Sequence, residues 1–524
     1  MMKLKTLLTA TLLLASPTVF CSAQENQDSP NPFDSRFQAL REFVMNDIAT
    51  GKVPSVSIAV AHNGEVVWAE AFGWADKGNG IRAAPNTMYR LASISKPITA
   101  TAVMRLVDAG LVDLDAPIEE YLGGITLHYY AGTPEEVTVR RVLQHRAGLP
   151  AHDQTLYIDE EPERRPFAET VRRYGNVMFQ PGWSFNYANV GYMLLARVVE
   201  EVTGIAFPRY VRDSVFTPLG MEACQVNVAG DKFKVPPAES YYGINGQAVP
   251  SSTSAYPGPD DVYCSAPDFL RFAMLHLKDS LPDQKRILSD AAIDEMQRQD
   301  PPSNTRYGLG WGFDVDQLGL RSMHHGGQTI GVSNFMVFVP SEDVAVVILA
   351  NTDYAASRLL HIQGAVRAAL IPEYAGINPW ASDAEDPLHA ETDTLAVPAG
   401  DAASTQPFPE AMLGTWEGKI VAYDRQIDVT LVLSNDEGAK IELSGQGEHA
   451  VNFTVISSVF LLGTLPGSIP TSDIERYHNW IRLAVRYTGD ALSGQATAVG
   501  WRKDRQTHTE QSAWIELERR RSMR

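Results

Sequence analysis

The sequence predicts an α+β chain: an antiparallel sheet flanked by helices and a helical subdomain, then a C-terminal antiparallel β-barrel-like domain. Three observations carry this. Asn63-Gly64 separates two strand-like apolar runs, Val56–Val60 and Val66–Trp68, and Asn-Gly is the strongest short hairpin signal. A second pair of runs, Phe335–Val339 and Val344–Leu349, recurs far downstream around the turn-like Pro340–Asp343. Beyond residue 411, short alternating strands such as Ile427–Leu433 and Lys440–Leu443 follow at intervals of about ten residues, as in small barrels.

The elements follow in order. Lys3 and Lys5, the apolar stretch Leu7–Leu14, the breaker Pro17 and small residues in Cys21-Ser22-Ala23 read as an export signal over 1–23, cleaved before Gln24. A lipoprotein anchor at Cys21 fits poorly, because bulky Phe20 stands where a small residue is needed. Phe37, Leu40, Val44 and Ile48 recur at helical spacing and stop near Gly51. After the first hairpin a helix starts near Ile98 and stops at Gly110. The middle is mostly helical, including Tyr192–Val199, and a helix over 355–370 follows the second hairpin. A sheet drawn from both ends of residues 24–380 results. Residues 381–410 are acidic, Pro- and Ala-rich and lack Lys and Arg, which reads as a solvated linker before a β-domain over 411–524.

Composition bounds the function. With 44% hydrophobic residues the 524-residue chain can bury a large core, which excludes a disordered, collagenous or coiled-coil protein. Lys+Arg number 44 against 63 Asp+Glu, a net charge of −19, so no basic face is expected for nucleic acid. No segment after the leader is apolar enough for a stable membrane span. The three cysteines lack metal-site spacing; Cys224 and Cys264 suit either a disulfide or two buried thiols. No cofactor and no metal are expected, and oligomeric state is left open.

The chemistry centres on Ser93-Ile94-Ser95-Lys96, the chain's one Ser-x-x-Lys, directly ahead of a helix. Three residues apart at a helix start, the amine reaches the hydroxyl. A serine needs a base to become a nucleophile, and helix-terminal N–H groups suit a developing oxyanion. Downstream stand Tyr187-Ala188-Asn189 and His325-Gly326-Gly327. With these three ordered motifs the chain resembles the serine β-lactamase and D-Ala-D-Ala carboxypeptidase superfamily (peptidase family S12), in its class C-like, CubicO-type branch. Gly110–Asp115, Leu143–Pro150 and Tyr307–Trp311 are also similar to that family, and the resemblance covers about 35–372.

The resemblance implies a β-lactamase/transpeptidase-like fold over the hydrolase domain. It makes Ser93 the nucleophile of an acyl-enzyme, Lys96 its partner, and Tyr187, as phenolate or through Lys96, the proton shuttle. Asn189 would hold the acyl side of the substrate. His325 and Gly327 would line the opposite strand, with backbone N–H groups of Ser93 and Gln328 as the oxyanion hole. Two further Tyr-x-Asn triplets, Tyr174–Asn176 and Tyr477–Asn479, lack the following Gly-Tyr and helix or lie in the β-domain. His325 is preferred to His324 because Gly331 completes His-Gly-Gly-x-x-x-Gly. His145 reads as structural, His62 as a turn residue, Trp416 as a barrel-core aromatic and Arg519–Arg521 as a solvated tail.

His325 stands where penicillin-recognising relatives carry a Lys that helps bind a carboxylate, and imidazole is mostly neutral at pH 7. Family members with His-x-Gly look like D-amino-acid peptidases, amidases or esterases, some with a C-terminal lipocalin-like barrel. The expectation is a periplasmic or secreted hydrolase of amide or ester bonds in small-molecule or short peptide substrates. A β-lactamase or penicillin-binding carboxypeptidase, a carboxylesterase and a non-catalytic binding protein are the rival readings.

Overall fold

The computed structural model describes residues 34–152, 155–157, 165–227, 233, 235–242, 246–299, 306–374, 407–471, 480–502 and 507–520. The export signal and residues 381–406 of the expected linker lie outside them.

The sheet forms from both ends of the first region. Its seven antiparallel strands run in the order Gly312–Val315, Arg321–Thr329, Val332–Val339, Val344–Ala350, Ser55–His62, Glu65–Asp76 and Ile81–Arg82. The N-terminal hairpin joins the distant one where Ser55–His62 pairs with Val344–Ala350, with Val60 opposite Val346. Asn63 and Gly64 both hold positive φ, 53° and 74°, as a two-residue hairpin turn requires.

Both faces of the central strands are covered, so Val332–Val339 and Val344–Ala350 are buried throughout and their sequences do not alternate. Val56, Ile58, Val60, Val346 and Ile348 pack against helices Asp34–Ala49 and Ala356–Leu370 through Phe37, Leu40, Val44, Ile362 and Val366. Ala59, Val347, Leu349, Met336 and Phe338 face helices Ser95–Asp108 and Ala266–Leu277 in a second core. The first of these begins at Ser95 rather than Ile98. Pro97 falls in its first turn, where a missing N–H costs no hydrogen bond.

Cys224 and Cys264 are direct cross-strand partners, and a disulfide joins them. The C-terminal region is a closed barrel of eight antiparallel strands in sequence order, sealed where Gly414–Val421 pairs with Thr507–Arg519. Ile427, Val429, Leu431 and Leu433 alternate inward as the sequence suggests. Trp416 is fully buried and its Nε1 donates to the Met412 carbonyl at 2.8 Å. The basic tail is not simply solvated. Arg519 is in the last strand with its guanidinium 4.3 Å from the Trp416 ring centroid, and Arg520 pairs with Glu417; Arg521 lies outside the described residues.

The barrel packs on the first region. Trp514 stacks on Tyr130 at 4.9 Å and clusters with Met178 and Phe179. Arg486 lies 4.2 Å over the Trp183 ring, and Arg173 Nη1 donates to Tyr423 Oη at 3.1 Å. These contacts gather around 130–183, the stretch that leads into Tyr187.

Candidate active site

Ser93 sits in a single 3₁₀ turn, Ala92–Ile94, that runs straight into the helix Ser95–Asp108. Ala92 holds φ at 51°, a left-handed conformation that costs a non-glycine residue about 1 kcal/mol. Neighbouring contacts impose it. Asn334, buried on the strand Val332–Val339, donates through Nδ2 to the carbonyls of Arg90 and Leu91 at 2.8 and 3.2 Å, pinning the chain just before the turn. Its Oδ1 accepts from the Ala350 N–H, which fixes the amide's orientation. Gly327 lets the strand Arg321–Thr329 touch the same turn: a Cβ there would meet Ile94 Cγ1 at 2.8 Å.

Lys96 is completely buried, and its Nζ donates to Ser93 Oγ at 3.2 Å and to the Pro259 carbonyl at 3.1 Å. Nζ also lies 4.7 Å from the centre of the Tyr187 ring and 5.7 Å from that of Tyr192. The Tyr187 hydroxyl bonds to the Ser93 side chain. Burial raises the Tyr187 phenol above its ordinary value while that bond pulls the other way, so it stays protonated at neutral pH. The standing phenolate allowed by the sequence is therefore disfavoured, and a route through Lys96 remains.

His145 builds the loop that presents Tyr187. Its Nδ1 accepts from the Ala188 N–H at 3.0 Å, and its carbonyl accepts from the Asn186 N–H at 2.7 Å, one residue to either side of the tyrosine. The ring sits among Phe185, Tyr187, Tyr192 and Tyr307. Burial, then the charge of Lys96, holds this imidazole well below its ordinary value.

His325 is buried on the strand opposite. Its Nδ1 donates to the Gly326 carbonyl at 2.6 Å, so its Nε2 accepts from Tyr307 Oη at 2.9 Å. Burial first, and the charge of Lys96 second, push it down to about 3. It presents no cation at neutral pH. His324 faces away, with Nε2 3.2 Å from Asp314. Gln328 is exposed at the strand's end.

Asn189 opens the helix Asn189–Thr203, and its Nδ2 lies 3.3 Å from His152 Nδ1. Its hydrogen bond runs to His152 rather than to Ser93 or Lys96. Of the competing triplets, Tyr174 packs near Tyr423 of the barrel and Asn176 donates to the Arg173 carbonyl, while Tyr477–Asn479 lie outside the described residues. The structure thus brings Ser93, Lys96, Tyr187, His325 and Gly327 together, with Asn189 at the edge.

Sequence reasoning missed Asn334, the Pro259 carbonyl, Tyr307 and His152. Of these only Tyr307 left a signal, inside the Tyr-Gly-Leu-Gly-Trp stretch. Among the described residues no group of three or more His, Cys, Asp or Glu is placed to hold a metal ion, and no helix is long and apolar enough to cross a membrane.

No carboxylate is needed for what this geometry can do, because the amine of Lys96 can serve as the base. A hydroxyl touched by an amine and a phenol can be deprotonated, acylated and released. Comparison with known proteins gives the family and the fold. The Beta-lactamase family matches residues 33–370. Penicillin-binding protein 4 of Amycolatopsis lactamdurans is 30% identical over 349 residues, which cover 62% of this chain and 87% of that protein. The octameric penicillin-binding protein homologue from Pyrococcus abyssi superposes with a TM-score of 0.53 at 21% identity, covering 92% of this chain and 99% of that one. The D-amino acid amidase from Ochrobactrum anthropi SV3 superposes with a TM-score of 0.52 at 22% identity, over 64% and 99% of the two chains.

Proposed function

This chain belongs to the β-lactamase family and is a serine hydrolase, and we propose that it works through an acyl-enzyme on Ser93, cleaving amide or ester bonds of small substrates, D-amino-acid derivatives among them. One observation carries the reading: Ser93 Oγ is held between the amine of a fully buried Lys96 and the hydroxyl of Tyr187. Ser93 Oγ attacks the substrate carbonyl while its proton passes to the lone pair of Lys96, which acts in this step as the neutral amine. The tetrahedral oxyanion is held by the N–H groups of Ser93 and Gln328. Collapse breaks the bond to the leaving group, which takes a proton from Tyr187, resupplied from Lys96. Water then enters by the reverse route, and the acid leaves.

The substrate class follows from His325. A neutral imidazole, its two nitrogens already committed to Gly326 and Tyr307, gives no cation for a substrate carboxylate. This disfavours penicillins and D-Ala-D-Ala peptides, and the fold likeness to a D-amino acid amidase puts D-aminoacyl amides first in a panel. The reading also places the enzyme outside the cytoplasm, supported by the leader's charge and apolar pattern and by the Cys224–Cys264 disulfide, which persists in an oxidising compartment. The barrel, with eight strands in sequence order, is read as lipocalin-like.

The test is fluorophosphonate labelling with mass analysis, followed by D-aminoacyl amides, their esters and a chromogenic cephalosporin. Labelling at Ser93 with the amides or esters turned over is expected. Label on another serine, or cephalosporin as the one good substrate, would overturn the reading.

A further inference from the structure

The barrel's outer face is buried and polar where it meets the catalytic region. On the strands Ala491–Arg502 and Thr507–Arg519, Ala496, Ala498, Ala513, Ile515 and Leu517 fill the interior. Gln495, Thr497, Glu510 and Ser512 have the opposite parity and point outward. None of the four is more than 8% exposed. Gln495, Thr497 and Ser512 satisfy one another at 2.7 to 3.0 Å.

Glu510 differs. A carboxylate with 1% of its side chain exposed must be partnered, and it is partnered across the domain boundary. Oε1 accepts from the Arg482 guanidinium, within the barrel. Oε2 lies 2.9 Å from His152 Nε2, off the line of an ideally aligned hydrogen bond. A carboxylate there favours the proton on Nε2, which leaves Nδ1 as an acceptor for Asn189 Nδ2 at 3.3 Å. The amide's orientation is thereby set. Its other arm, Oδ1, is buried and has no hydrogen-bond partner among the described residues. A buried acceptor left open is unfavourable, so it calls for a donor. Asn189 stands two residues from Tyr187, whose hydroxyl touches the nucleophile.

We propose that Glu510 of the barrel, acting through His152, is a positioning residue that turns Asn189 so that its Oδ1 accepts an N–H from the acyl side of the substrate. The barrel then contributes to substrate choice, and the enzyme selects N-substituted aminoacyl groups over acyl groups that lack this donor. The inference rests on the acyl-enzyme reading above.

Two p-nitrophenyl esters test it in the full-length chain: that of N-acetyl-D-phenylalanine and that of O-acetyl-D-phenyllactate, which replaces the N–H by oxygen. The leaving group is shared, so the ratio of their kcat/KM values reads acyl recognition alone. The wild type should prefer the N–H ester by about tenfold or more, the worth of one well-placed hydrogen bond to a buried acceptor. Glu510→Gln and His152→Ala should each bring the ratio towards unity, and the double variant should lower it no further. Thr497→Val, at the same interface but outside this chain of contacts, should keep the wild-type ratio. Fluorophosphonate labelling of Ser93 is followed in every variant. A wild-type ratio near one, an unchanged ratio in Glu510→Gln, or an equal effect of Thr497→Val overturns the proposal while labelling stands. Failure of the wild type to label overturns the acyl-enzyme reading first, and this inference with it.

Discussion

Gly327 and Leu91 meet so closely that a Cβ on Gly327 would stand 2.2 Å from the Leu91 carbonyl oxygen. The strand Arg321–Thr329 can therefore lie against the Ser93 turn only with hydrogen at this position. The obstacle is backbone, which cannot swing aside as a flexible side chain would. Gly327→Ala should push strand and turn apart, with an overpacking cost of about 1–3 kcal/mol. Fluorophosphonate labelling should slow by at least about tenfold even where the variant folds, because the proposed oxyanion donors, Ser93 and Gln328, belong to the two segments that meet here. A variant with normal labelling and a normal Tm would show that the contact does not set the site.

Ser93→Ala separates chemistry from packing. The hydroxyl accepts from Lys96 and bonds Tyr187 but fills little of the core. Hydrolysis of every substrate should disappear while Tm moves by only a few degrees. Residual activity above a few per cent in a clean preparation would remove Ser93 from the role of nucleophile.

The part of the site that was legible in the sequence is local. Ser93 and Lys96 are three residues apart on one helix start, Asn63-Gly64 specifies its own turn, and alternation along Ile427–Leu433 shows which face of a barrel strand is inside. The rest depends on contacts that no short window contains. Asn334 looks like any polar residue within an apolar strand until its amide is seen holding Arg90 and Leu91. The Pro259 carbonyl that anchors Lys96 is backbone and has no sequence signature. His152 lies in the first region and Glu510 in the barrel, and their pairing depends on how the barrel packs on that region.

The buried histidines should make the fold sensitive to acid. His276 and His325 are pushed down to about 3 by burial, with Lys96 adding to the effect on His325. In the unfolded chain both titrate near 6.5. Between those values the unfolded state binds more protons, so stability is full above about pH 6.5 and falls as pH drops, by up to about 1.4 kcal/mol per unit for each histidine. Unfolding free energies measured from pH 7 to 4 should show this slope, and His325→Gln should make it shallower whatever its effect on the absolute level. An unchanged slope would mean that His325 gains its proton without unfolding.

Cys224–Cys264 fastens the strand that follows the Pro259–Asp261 segment, so its loss should be felt at Lys96 as well as in stability. Cross-linking residues 40 apart restricts the unfolded chain by about 3–4 kcal/mol in the chain-entropy account. Cys264→Ser should lower stability by about 2–4 kcal/mol, and reductant should lower the wild type comparably. Equal Tm values with and without reductant, with thiols shown to be free, would contradict this.

The proposed proton shuttle, Tyr187, gives the sharpest discrimination. Tyr187→Phe keeps a ring beside Lys96 and His145 but removes the hydroxyl that bonds Ser93. Loss of one positioned acid–base group should lower kcat by about 10²–10⁴. Amides should suffer more than p-nitrophenyl esters, because an amine must be protonated to leave whereas p-nitrophenolate leaves as it is. Tyr174→Phe is the matched control: its ring packs near Tyr423 of the barrel, away from Ser93, so it should behave as wild type. Equal losses on amide and activated ester in Tyr187→Phe would mean that the hydroxyl acts in nucleophile activation rather than in leaving-group protonation. A damaging Tyr174→Phe beside a harmless Tyr187→Phe would place the Tyr-x-Asn motif in the other register and remove Asn189 from the site.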